Sequence, residues 1–277
     1  MEEIRKKQRL FKRIMRVFVV FTAIFLFVYI GISPSAQALG RNGIIVLNYI
    51  SDILVIVSLA LVLIYYSKYS KVELFLNDVE GEINDCGYYH TAREENEIKP
   101  YFNAVSEDLK KNGYIIDNNI ELSGLDFDAR ALKAKEFFYI TCVDELDKND
   151  VIAYLDSAVY DVSAVNLKRK GNCVVLFICS SVDESALSLS KAVTSMGKKN
   201  QLKFTSAIVN VSDGKVYFSG LNPTKCQQMI ANYVMNCAVP IKEEFKGKEK
   251  LSFQYELEER MKSFNIKDFK NGTFSVH

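Results

Sequence analysis

Glycine and proline are scarce in this chain, 13 and 4 among 277 residues. That excludes collagen-like and low-complexity disordered classes. Histidine is scarcer still, with only His90 and His277, which argues against a multi-histidine metal centre. The six cysteines, Cys86, Cys142, Cys173, Cys179, Cys226 and Cys237, follow no CxxC or zinc-ligand spacing. A phosphate-binding Gly-rich loop is missing, as are the kinase and hydrolase elbow motifs. Most telling is a local absence of charge: residues 17–66 contain only Arg41 and Asp52.

What is present divides around that gap. Residues 1–16 hold Arg5, Lys6, Lys7, Arg9, Lys12, Arg13 and Arg16 against Glu2 and Glu3, a net of +5. Residues 67–277 hold 27 basic and 31 acidic residues, a net of −4. The overall +1 is the sum of three physically different segments.

The uncharged segment contains two membrane-length apolar runs, Val17 to Ile32 and Ile44 to Tyr66. At about 1.5 Å per residue each can cross the hydrocarbon core. Their separation by about a dozen residues predicts a transmembrane hairpin. Basic residues precede the first run, and Lys68 and Lys71 follow the second. The connecting loop has Arg41 alone, so the positive-inside rule places both termini in the cytoplasm. The basic tip then meets anionic lipid headgroups. Ser35-Ala36-Gln37-Ala38 also fits a signal-peptidase site. Cleavage after Ala38 would still leave the second run as an anchor. Confinement of all cysteines to the body suits reduced cytosolic thiols.

Asp52 lies about eight residues inside the second run, with Asn48 one turn above it and Tyr29 at a similar depth in the first run. A carboxyl there should face the partner helix or take up a proton. The expectation is a polar contact among Asp52, Asn48 and Tyr29 that clasps the hairpin or an oligomer.

Residues 67–89 continue the second span as an amphipathic helix, broken at Gly87 and Tyr88-Tyr89. No linker or internal repeat interrupts residues 90–240, which predict one cytoplasmic mixed-sheet α/β domain. Its expected order is a helix (94–112), strands at 114–116, 125–131 and 136–143, and a helix (150–166). A buried strand (173–179) and a helix follow, the latter opened by the capping box Ser181-Val182-Asp183-Glu184 and running to Met196. A hairpin around Asp213-Gly214 and a helix over 224–238, capped by Asn222-Pro223, complete it. In strand 125–131, Leu, Phe and Ala alternate with Asp126, Asp128 and Arg130, predicting one apolar and one wet face. Residues 241–277 read as a charged tail with one helix.

A helix, three strands with an acidic residue on the second, then helix and strand resembles the restriction-endonuclease-like core of the PD-(D/E)xK nucleases, over roughly Glu94 to Val211. The resemblance implies carboxylates that hold Mg²⁺ and a lysine that polarises water. Asp126 or Asp128 matches the aspartate. The third strand, Phe138-Tyr139-Ile140-Thr141-Cys142-Val143, lacks the Glu-x-Lys element, and Lys133, Lys135 and Glu136 precede it in the wrong order. The net −4 body does not favour nucleic acid as a partner. Lys168–Lys170 and Lys242–Lys250 read as solvated clusters. Cys142 and Cys179 fall at strand ends, where open α/β sheets place their sites, with Ser180 and Ser181 following. Neither has an evident base. Lys225 and Gln227 stand at a helix start that an anion can meet. The sequence thus predicts a membrane-anchored domain that binds, senses or scaffolds a protein partner or a second copy, with no cofactor. The alternative is a membrane-anchored, metal-dependent nuclease using Asp126 and Asp128 with Mg²⁺.

Overall fold

A computed structural model describes residues 2–32, 40–164, 171–191, 193–196, 202–220, 224–266 and 269. The Ser35–Ala38 motif, the Lys168–Lys170 cluster and Asn222-Pro223 lie outside these. The chain forms two compact units, one of residues 1–80 with 257–277 and one of residues 81–256.

The first unit is built on α1 (Glu2–Ile32) and α2 (Gly40–Asn84). Both are long and apolar enough to cross a membrane. Their apolar side chains point outward: Phe27 is 82% exposed, Ile30 70% and Leu63 68%. The helices meet through small and polar groups. Thr22 and Ser58 share a hydrogen bond of 2.8 Å, and the Tyr29 hydroxyl donates to Asn48. The basic stretch of residues 2–16 is the first half of α1 rather than a separate tip. Arg5 is buried and its Nε donates to Glu80 Oε1 at 2.8 Å, Gln8 donates to the Tyr65 hydroxyl at 3.1 Å, and Lys12 pairs with Glu73. Opposite charges along the facing helix therefore consume much of the basic character read from the sequence. Leu257, Met261 and Phe264 are buried, and Phe75 packs against Phe264 and Phe269 with ring centroids 5.5 and 4.7 Å apart.

The second unit is a mixed sheet covered by helices on both faces. After β1 (Tyr89–His90) come α3 (Ile98–Lys111), β2 (Ile115–Leu122), β3 (Leu125–Lys133), β4 (Glu136–Leu146) and α4 (Lys148–Ala164). Then follow β5 (Gly171–Val182), α5 (Glu184–Ser190), β6 (Val193–Met196), β7 (Leu202–Asn210), β8 (Lys215–Tyr217) and α6 (Lys225–Met229); α7 (Ser252–Lys262) begins in this unit and ends in the first. The sheet order is β1-β8-β7-β5-β4-β3-β2, with β6 paired to β7 beside β8. The central strands β4, β5 and β7 are parallel, and the outer pairings are antiparallel.

The central strands are near-continuous apolar runs because both of their faces are covered. Val174, Leu176 and Ile178 of β5 face a core with Tyr101, Val105 and Leu109 of α3 and with α6. Cys173, Val175, Phe177 and Cys179 face the opposite core with Val151, Ala158 and Val162 of α4 and Ala186 and Leu187 of α5. These layers are the α/β organisation expected from the sequence.

Several boundaries differ from expectation for identifiable reasons. The helix expected to reach Met196 ends at Ser190, because Val193–Met196 pairs antiparallel with β7, from Val193↔Thr205 to Met196↔Leu202. The first domain helix starts at Ile98, with Pro100 in its first turn, where a missing N–H is tolerated. The helix expected over 224–238 becomes a π-helical turn at Ile230–Val234 and stops there. The expected hairpin is present, with Asn210↔Lys215 closing the turn and Gly214 at φ 64°. β1 and β6 have no counterpart in the sequence reading, being too short to show a period. The compact unit also extends beyond 90–240, through 81–256.

Candidate functional site

Asp126 and Asp128 lie on β3, but they do not form one wet face with Arg130. Phe127 belongs to the core on the α4 side, whereas Ala129 and Ala131 belong to the core on the α3 side. A regular strand would put all three together. On β2 the same switch separates Ile116 from Ile120 and Leu122, with Asn119 between them at φ 51°. The pairing of β3 with β4 stops at Ala129↔Ile140. Beyond that point the Asp128 carboxylate accepts the Cys142 backbone N–H at 2.7 Å. Asp128 thus replaces a missing ladder bond. Asp126 is exposed and stands opposite Glu121. Arg130 points to the other side, donating to Asp117 at 2.9 Å and to Asp161 of α4 at 3.1 Å.

The thiols at the strand ends are engaged in packing. Burial pushes Cys179 up to about 12, and its sulfur faces the Val209 carbonyl at 3.4 Å. Burial also raises Cys142 strongly, with the Asp128 charge adding to it. His90 is exposed on β1, opposite Lys215 and edge-on to Tyr88, so it pairs with neither thiol. Ser181 lies within β5, and Asp183 takes the N-cap of α5. Lys225 pairs with Glu136 at 3.1 Å. Gln227 is buried, accepting the Thr224 N–H and donating to the Ser219 carbonyl.

Two clefts remain. One, of about 410 Å³, opens at the carboxyl ends of β4 and β5 and is lined by Glu145, Asp147, Asp150, Ser181 and Asp183. The other, of about 440 Å³, is lined by Asp85, Cys86, Tyr89, Gly220 and the mixed-charge segment Glu243 to Lys250. Asp85 in its wall belongs to a buried ion pair that sequence reasoning did not find. Lys191 and Asp85 meet at 3.0 Å with side chains 1% and 2% exposed. Lys191 also donates to the carbonyls of Cys86 at 2.7 Å and Phe218 at 2.8 Å, filling all three donor positions. Asp85 accepts from the Tyr89 hydroxyl at 2.9 Å and from the Gly220 N–H at 3.0 Å. Glycine is required at 220, because a Cβ there would lie 1.7 Å from the Tyr89 hydroxyl. Gln254 donates to the carbonyls of Glu82 and Asp85. The ion-pair partners lie 106 positions apart, and Gly220 and Gln254 lie 135 and 169 positions from Asp85, so only the folded chain joins them. Cys86 at the cleft wall is raised by burial, the opposite of an activated nucleophile. This arrangement has polar groups for recognition, with its charges already committed to one another. No family model, curated protein or solved structure matches the chain.

Proposed function

We propose that the chain is a two-span membrane protein whose α/β unit serves in the cytoplasm as a binding, sensing or scaffold module without catalysis of its own. One observation carries the membrane part: two long helices present Ile, Val, Leu and Phe outward along their apolar stretches. That much exposed apolar surface is matched by lipid rather than water. The basic flanks, with Lys68 and Lys71 after the second run, favour cytoplasmic termini. The binding part is supported by the engagement of the chemically capable groups. Asp128 holds a backbone N–H, the strand-end thiols are held protonated by burial, and Lys225 is paired. The mixed-charge cleft lined by Asp85 and the Glu243–Lys250 segment is the surface best suited to a polar segment of a protein partner.

In cells making the full chain tagged at both ends, alkaline carbonate should leave it in the membrane pellet. Both tags should be digested only after the membrane is opened from the cytoplasmic side. Release by carbonate, or protection of either tag in inside-out vesicles, overturns the topology. The nuclease alternative is tested with the detergent-solubilised full chain. Mg²⁺- or Mn²⁺-dependent cleavage of DNA or RNA that Asp128→Ala abolishes would overturn the non-catalytic reading.

A further inference from the structure

The expected clasp among Tyr29, Asn48 and Asp52 forms only in part. Tyr29 bonds Asn48, but Asp52 is exposed on the outer surface of α2 and has no hydrogen-bond partner among the described residues. It does not face α1, which meets Ser51 and Ser58 instead. Asp52 is also not isolated by position. Ile45, Tyr49, Asp52, Ile56, Leu59, Leu63 and Tyr66 recur at alternating steps of four and three. All are outward, from Ile45 at 43% to Leu63 at 68%. This is a heptad seam over three repeats, with one polar residue near its middle. In such seams a single polar residue fixes register and partner number.

We propose that two copies of the chain pair in the bilayer through this face of α2, with Asp52 of each copy accepting a hydrogen bond from Tyr49 of the other. The proposal rests on the membrane reading above. The occupant follows from complementarity. A carboxylate at hydrocarbon depth needs a donor. The outward hydroxyl of Tyr49 lies one helical turn away, at nearly the same depth. A two-fold axis along the membrane normal sets equal residues at equal depth and makes a Tyr49–Asp52 contact occur twice. The same surface supplies donor and acceptor, so a second copy satisfies it without any other protein. Flanking Ile45, Ile56, Leu59 and Leu63 provide close packing, the main driving force between helices in lipid.

The test uses the full chain in lipid nanodiscs and native membranes, counting copies by single-molecule photobleaching across a range of protein-to-lipid ratios. The wild type should be dimeric. Asp52→Leu should weaken dimerisation by ~10-fold, as expected for losing two interhelical hydrogen bonds, and Tyr49→Phe by at least as much, because it removes the same two bonds and leaves the carboxylates without donors. Phe27→Leu, on the outer face of α1, should have no effect. A membrane-retained wild type that stays monomeric overturns the proposal, as does Asp52→Leu dimerising like wild type. If Asp52→Leu fails to insert, oxidative crosslinking decides, because the native cysteines all lie outside the apolar segments. Leu59→Cys and Leu63→Cys should crosslink and Val57→Cys should not; equal crosslinking at the three sites overturns the proposal. Release of the wild type by carbonate removes the membrane reading itself, a result separate from a monomer retained in the membrane.

Discussion

Arg93 is a single residue on which several distant groups depend. Its side chain is 5% exposed. The guanidinium donates to the carbonyls of Val234 at 2.8 Å and Tyr233 at 2.7 Å, and to Asp108 at 2.5 Å. The Tyr101 hydroxyl adds a bond to Val234 O at 2.7 Å. These donors end the π-helical turn by taking carbonyls that a continuing helix would have used. A planar fork can serve three acceptors in different directions, and an ammonium cannot copy that geometry. Arg93→Lys should therefore lower the unfolding free energy of the α/β unit by about 2 kcal/mol, measured by urea denaturation. Arg93→Ala should cost more. Little of this was legible beforehand. An arginine between Ala92 and Glu94 looks like a surface residue, and its carbonyl acceptors lie some 140 positions away.

At the scale of elements, the sequence was most informative where burial is two-sided. The apolar runs of β4 and β5 reveal central strands because no wet face interrupts them. The alternation in β3 misled, since it assumes a constant face and the strand switches faces beside Asp128. Glu136 shows how an element junction is held. It opens β4, accepts from the Tyr114 hydroxyl before β2, and pairs with Lys225 at the start of α6. Burial pushes its carboxyl up, but the Tyr114 hydroxyl and the Lys225 ammonium outweigh that and hold it below the usual glutamate value. A group depressed in the fold stabilises fully above its unfolded pKa, and the benefit fades as pH falls through the folded one. Glu136→Gln should thus be less stable than wild type by about 1 kcal/mol at pH 7. That gap should narrow as pH drops below about 4.5. Chemical denaturation of both proteins between pH 3 and 7 gives the measurement, and a gap independent of pH would assign Glu136 no such role.

For the whole molecule, the thiols report how the α/β unit opens. Cys173, Cys179 and Cys226 are buried, and burial raises all three. A thiol that is both inaccessible and protonated reacts only when the structure around it opens. In native buffer at pH 8, iodoacetamide should modify these three far more slowly than in denaturant. Mass spectrometry should show their rates rising together as urea is added, since Cys173 and Cys179 lie on β5 and Cys226 packs against the same strand from its other face. Charge and hydropathy had already separated the apolar hairpin from the body. They could not reveal that residues 2–16 continue as a helix against α2, because ion pairs such as Arg5 with Glu80 join segments 75 positions apart.

The left-handed turn at Asn119 has a consequence for the chain in a crowd. Among the described residues β2 is the last strand of the sheet, with an outer edge to which another strand could add. A flat edge would be a template for aggregation. With Asn119 at φ 51° and the strand changing faces there, neither half of β2 offers an incoming strand a long straight register. Asparagine enters that backbone region readily, and a β-branched residue does not. The break at Asn119 that accompanies the face switch of β3 therefore also leaves this edge a poor template for an added strand.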